Sequence, residues 1–368
     1  MTFVAATAVQ AGTNAAVGCG DVLTSSVTLT ADLSCPGDGL TVGADDVTVN
    51  LGGHTLSGGG TGFSTGVSVI GHKGVTVRNG TVTGFGDAGV RAAQGATVTL
   101  SRVRATGTRL VGEYDGSMTV TGSPATCLMD GGYFRFTTLT VDHCTVRGSI
   151  TTIVERVSVR SSRLGDGGSL MLSSAQDGVF TGNVFDDFSV TLGADSSNNL
   201  FSDNVFRNSY APLWVDKTDH TPNTIENNVF RNNGIGLVSG NRFHNLIVRG
   251  NLFADNSTAG MLIENSSPTP NPYPIADNIL RHNGYAPNGQ TDHGGNPVQG
   301  GIHVFTYTVP KGPAPGPDPD PAAPIPLARN TGRGNGGFLI WGKQGQVVDG
   351  GGNQGPCGPQ PGTGLVCR

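Results

Sequence analysis

Charge is the scarcest commodity in this chain. Asp, Glu, Lys and Arg together make up 13% of 368 residues, about half of what a globular protein carries. The 22 Lys and Arg are scattered singly in a chain of net charge -5, so no basic footprint points to nucleic acid. A polyuronate substrate would also want a basic groove, and none is evident. Aromatic residues are 6%. No apolar run reaches the ~18 residues of a membrane-spanning helix. No Cys-x-x-Cys pair, zinc spacing, phosphate loop or nucleophile elbow occurs, so neither a metal nor a cofactor is expected. Coiled coils and helical repeats are excluded by the shortage of Leu, Glu and Lys.

Glycine, by contrast, is abundant: 59 residues without the three-residue period of collagen. A hydrophobic content of 36% is too high for disorder. What remains is a large, weakly charged, glycine-punctuated β protein. Its six cysteines fall into three sequence-local pairs, Cys19 with Cys35, Cys127 with Cys144, and Cys357 with Cys367. Disulfides are expected most strongly for the two terminal pairs and would imply an oxidising compartment; buried apolar thiols are the alternative. Ala6-Thr7-Ala8 has the small-residue pattern of a signal-cleavage tail, although no charged start or apolar core precedes it. Secretion is the expectation and a cytoplasmic location the alternative.

A short unit recurs along the chain: Asn, two apolar residues, a polar turn, then a second apolar strand. Its clearest copies are Asn183-Val184-Phe185, Asn204-Val205-Phe206, Asn228-Val229-Phe230, Asn251-Leu252-Phe253 and Asn278-Ile279-Leu280, with Asn330-Thr331-Gly332 as a weaker sixth. Of 26 asparagines, 23 lie after residue 182, where the repeat is cleanest. A period in the low twenties marks a solenoid. Strands of four to six residues with alternating apolar positions, and no Leu-x-x-Leu-x-Leu frame, make it a β-solenoid. The unit is too short for a propeller blade. Asn at a tight turn can adopt the left-handed conformation and bond to its counterpart in the next coil. Glycine serves turns of positive φ, and inward positions are expected to stack as aliphatic ladders.

With this repeat and its Asn anchors, nearly the whole chain resembles the right-handed parallel β-helix, or pectate-lyase-like, superfamily. The resemblance implies an all-β fold: a single right-handed parallel β-helix of about a dozen coils with long loops on one face. Residues 1–38 would be an N-terminal segment and cap, 39–350 the helix, and 351–368 a disulfide-bonded tail. Insertions fall near 217–224, 266–274, 285–300 and 309–327. The resemblance specifies fold better than chemistry. Of the polygalacturonase signature Asn-x-Asp, Asp-Asp, Gly-His-Gly, Arg-x-Lys, only Asp186-Asp187 has a counterpart; Gly71-His72-Lys73 precedes it in the wrong order. No catalytic residue is carried over, and no run of coil aspartates suggests a calcium site.

Aligning the clean coils from their Asn anchors yields two inward columns, one through Val190, Leu213, Leu237, Met261, Ile302 and Phe338, the other two residues further on. The columns between face outward. One holds Met171, Thr191, Trp214, Val238, Leu262, His303 and Leu339; the other holds Gly193, Asp216, Gly240, Glu264, Phe305 and Trp341. An exposed apolar face of this kind marks a binding site or a covered surface. The Pro-rich segment 309–327 and the loops carrying Asp219-His220 and Asp292-His293 flank it, either building a site or closing over the patch. Asp216 and Glu264 share a column two coils apart, about 9.6 Å at ~4.8 Å per strand. That is near the upper end of the ~6.5–9.5 Å of an inverting glycosidase pair. Gly240 between them would leave room for a sugar. Trp214 and Trp341 would stack on it, with Lys217 at the rim, and His303 would be a further acid/base candidate. The plain alternative is a pair of solvated surface carboxylates and an inert histidine.

Three functions compete. A carbohydrate-active enzyme (hydrolase, lyase or epimerase) on a neutral or weakly charged glycan fits the Asp216, Glu264 and Trp pattern. A cyclase or isomerase of an apolar small molecule such as a polyketide fits the apolar column Met171, Trp214, Val238, Leu262, Leu339. A non-catalytic secreted adhesive module fits the fold alone. A monomer is expected in each case.

Overall fold

The computed structural model describes residues 8–9, 17–60, 62–153, 156–193, 195–216, 221–240, 243–308, 320–359 and 365–368. Its repeating element is a turn of three short strands, as in Ile235–Ser239, Leu246–Arg249 and Leu252–Ala254. Each strand pairs in parallel with its equivalent in the next turn. Two compact units, Met1–Gly168 and Ser169–Arg368, are both built this way. The whole is an all-β parallel β-solenoid of about 13 turns, without a helix among the described residues.

In the first unit, strands Thr65–Ile70, Ala88–Ala93, Leu110–Glu113, Gly132–Arg135 and Ile150–Ile153 stack in parallel. A full turn already lies within 22–35, where Val22–Leu23, Val27–Thr28 and Leu33–Cys35 pair forward. In the second unit the corresponding stack is Ser169–Ser173, Ser189–Leu192, Leu213–Val215, Ile235–Ser239, Ala259–Asn265, Gly300–Thr306 and Ile340–Trp341. A last rung, Cys357–Gly358, lies in the C-terminal tail. Ile325–Ala328, expected within the Pro-rich insertion, is a coil strand paired with Val347–Asp349.

The core follows from the alternation. Phe185, Phe206, Phe230 and Phe253, each two residues past a ladder Asn, stack at 4.5 to 4.7 Å between successive rings, so part of the interior is an aromatic column where aliphatic ladders were expected. Beside it runs the asparagine ladder. Asn204 Nδ2 donates to Asn228 Oδ1 at 2.9 Å, Asn228 to Asn251 and Asn251 to Asn278 at 3.0 Å each. The ladder continues to Asn330 and Asn353. A second ladder runs Asn233, Asn256, Asn283, Asn335. These side chains, buried except for the half-buried Asn335, also donate to backbone carbonyls such as Phe180 O and Phe201 O. The left-handed residue is the one before each ladder Asn: Asp203, Asn227, Gly250, Asp277 and Arg329 have φ of 57, 57, 66, 59 and 53°.

All three expected disulfides are present, Cys19–Cys35, Cys127–Cys144 and Cys357–Cys367, and no free cysteine remains among the described residues.

Candidate functional site

The outer face of the Leu213–Val215 to Ile340–Trp341 stack carries the candidate residues. The sequence alignment holds through four coils: Trp214 stands opposite Val238, Val238 opposite Leu262, and Leu262 opposite His303. Two residues on, Asp216, Gly240 and Glu264 therefore share a column, and Glu264 is paired with Phe305. The last coil is displaced by two residues. Ile302 pairs with Ile340 and His303 with Trp341, so Trp341 belongs to the His303 column and Leu339 leaves it. Leu339 is fully buried, packed where a Cβ on Gly332 or Gly355 would touch it.

The exposed apolar face expected at Val238 and Leu262 does not exist. Both are 1% exposed, packed with Ile235, Ala259 and Val298. Val298 comes from the 285–300 loop, a small hairpin closed by the Thr291–Pro297 bridge. Burying the patch beneath a loop gains apolar area. Met171 stays exposed, three strands away from this cluster, and Trp214 is 40% exposed.

The same hairpin puts its tip onto the charged positions. Asp292 accepts from His303 Nε2 at 2.9 Å and from the backbone and side chain of Asn296. His303 is fully buried and stacks on Trp341 with ring centroids 4.1 Å apart; it faces outward as expected, but the loop seals it from solvent, so it cannot meet a substrate. Burial opposes ionisation of Asp292, yet the bonds from His303 and Asn296 outweigh it and hold the carboxyl below its usual range. His293, next along the loop, gives its backbone N–H and points Nδ1 to Glu264 Oε1, at 2.9 and 2.8 Å.

Beyond the hairpin tip, one group of side chains comes together. The Tyr307 phenol hydrogen-bonds Ser266, and its ring lies 4.8 Å from His293 and 6.1 Å from Phe305. Burial raises its pKa, and the charges of Glu264 and Asp216 raise it further. The phenol therefore stays protonated at neutral pH. The gap expected at Gly240 is occupied: the Trp214 indole lies 3.2 to 3.5 Å from where a Cβ on Gly240 would be, forming an aromatic floor between the two acidic positions. Lys343 sits 5.9 Å over the Trp341 ring. Lys217, Asp219-His220 and residues 309–319 of the Pro-rich segment lie outside the described residues. Tyr307 was missed by the sequence reading. Continuing the outward alternation of His303 and Phe305 by two residues would have found it.

Residues 149–289 match the sequence profile of NosD, described as a periplasmic copper-binding protein. A search of curated proteins gives no significant match. Among solved structures, the A-module of a mannuronan C-5 epimerase from Azotobacter vinelandii aligns over 95% of this chain and 91% of its own, at 13% identity and a TM-score of 0.40. With its repeat and the parallel pairing of its strands from turn to turn, the chain is a parallel β-helix protein.

Proposed function

We propose that the chain is a carbohydrate-active enzyme that lays a glycan across Trp214 and acts on it through Asp216 and Glu264. One observation carries the reading: Asp216 and Glu264 share one outward column with the half-open Trp214 indole lying against Gly240 between them. An indole face suits the apolar side of a sugar ring. Paired carboxylates supply acid and base, and a phenol kept protonated supplies a hydrogen-bond donor to a leaving or ring oxygen. His293 holds Glu264 in place through Oε1; Glu264, expected on the open outward column, is 8% exposed beneath the loop, so a glycan would meet only its edge. The three disulfides suit an oxidising compartment, where extracellular glycans are met.

The apolar-ligand reading loses its motive, because Val238 and Leu262 are covered by Val298. Copper chemistry is not carried over from the NosD description. No group of three or more His, Cys, Asp or Glu among the described residues is placed to hold a metal, and the thiolates a soft ion would favour are tied in disulfides.

The test is turnover of a panel of neutral and uronate glycans, read by new reducing ends, by unsaturated products and by NMR of ring configuration. Asp216→Asn and Glu264→Gln should each lower kcat by about 10²–10⁴-fold, and Trp214→Ala should chiefly raise KM. Full turnover in both carboxamide variants would remove the pair from the chemistry. Binding without turnover in the wild type would make the chain a glycan-binding module.

A further inference from the structure

The arginines that look scattered in the sequence are gathered by the coil register. On the strand that follows the ladder Asn, Arg207 stands opposite Arg231, Arg231 opposite Ala254, Ala254 opposite Arg281, and Arg281 opposite Arg333. Successive positions are ~4.8 Å apart along the stack. Like charges stacked directly opposite one another are destabilising unless something compensates them. Elsewhere in this unit the compensation is visible. Arg207 is bound to Asp186, Arg249 to Glu226 and Arg329 to Asp277, each within 2.7 Å. Arg231, Arg281 and Arg333 have no such carboxylate among the described residues.

Arg281 and Arg333 also line a cavity of about 720 Å³, together with His282, Gln354 and Arg368 over Ile279. The tail builds its far wall. Arg368 exchanges backbone bonds with Asn353 and Gly355, and the neighbouring Cys367 is tied to Cys357. No Asp or Glu is among the lining residues. The nearest acid with a role is Asp255, 3.6 Å from His282 Nδ1. In a chain of net charge -5, Arg281 and Arg333, without a carboxylate partner among the described residues, line one cavity with Arg368, an arrangement that a bound anion would neutralise.

We propose that this cavity is a binding site for a multivalent oxyanion, the sulfate or phosphate ester group of a small molecule or of a polymer. Each guanidinium presents a planar fork of N–H donors, and one fork suffices for a carboxylate. Three such forks lining one space suit a tetrahedral group with several peripheral oxygens. The cavity is within the size range of small-ligand pockets. It lies on a different sheet from Trp214 and the carboxylates, so it stands or falls independently of the proposed glycan site.

The experiment is calorimetric titration of the full chain with pyrophosphate and with dextran sulfate, ionic strength held constant with chloride. Arg281→Ala and Arg333→Ala should each weaken pyrophosphate binding about tenfold or more, the loss of a charge-assisted bond. Arg231→Ala, in the same column but outside the cavity, should leave it unchanged. All these side chains are exposed, so the variants should fold, as circular dichroism would check. Pyrophosphate saturation with the expected variant pattern supports a small-molecule ester. Binding of dextran sulfate alone, lost in Arg281→Ala and Arg333→Ala but not in Arg231→Ala, supports a polymer-borne ester. Wild-type affinity in both cavity variants, or equal losses in all three, would replace the site with a diffuse basic stripe and overturn the proposal.

Discussion

At the scale of single residues, the asparagines carry the most structure per side chain. Asn228 Oδ1 accepts from the backbone and side chain of Asn204, while its Nδ2 donates to Phe201 O, Glu226 O and Asn251 Oδ1. Replacing it by Ala leaves several buried groups on three successive turns without partners, at roughly 1–3 kcal/mol each. Asn228→Ala should therefore cost at least about 3 kcal/mol in urea unfolding, whereas the neighbouring exposed Arg231→Ala should cost under about 0.5 kcal/mol. Equal costs would mean the ladder is not what holds the turns together. The ladder was legible in the sequence because the Asn-apolar-apolar unit recurs with little change from Asn183 to Asn278, and it survives the long insertion before Asn330. Its backbone was not: the left-handed residue precedes the ladder Asn, and Asp203, Asn227, Gly250, Asp277 and Arg329 share that conformation without sharing a residue type. Positive φ tolerates Gly, Asn and Asp best, but at Arg329 the ion pair to Asp277 accompanies a less suited residue.

At the scale of elements, register was legible where a strand's apolar alternation is distinctive, whatever the length of the turn before it. Trp214, Val238, Leu262 and His303 align as expected, the last of them across the whole 285–300 loop. In the last coil Phe338-Leu339-Ile340-Trp341 is apolar throughout, so its alternation does not fix which residue faces in, and Ile340 rather than Phe338 pairs with Ile302. The covering of Val238 and Leu262 could not be read from the strands, since it depends on which side of the sheet an irregular loop folds to. That loop is held by Asp292 on His303 and by His293 on Glu264. Because the folded pKa of Asp292 is lowered from 3.8, its ionised form stabilises the protein fully above that value. The contribution is lost as pH falls through the folded pKa. Asp292→Asn should thus lower stability at neutral pH, and the gap from wild type should close as pH drops below 3.8. Denaturant midpoints of both proteins across acid pH measure this. A gap that persists unchanged in acid would show that packing, rather than the charge, holds the loop.

At the scale of the whole molecule, contacts run from each turn to the next, and a stack of this kind responds locally to local damage. The disulfides make that testable. Cys127–Cys144 lies between two successive turns inside its unit, with both residues fully buried, and closes a separation of 17 residues; a loop of that length restricts the unfolded chain by about 3 kcal/mol. Cys357–Cys367 closes 10 residues beside the last rung and Arg368. Replacing Cys127 and Cys144 by Ala should lower the main thermal transition by several degrees. Replacing Cys357 and Cys367 should leave that transition nearly in place and instead speed hydrogen exchange at Gly355 and Arg368, whose amides bond within the tail. A tail variant that lowers the main transition as far as the buried one would mean that the ends of the solenoid are coupled to its middle, contrary to nearest-neighbour stacking.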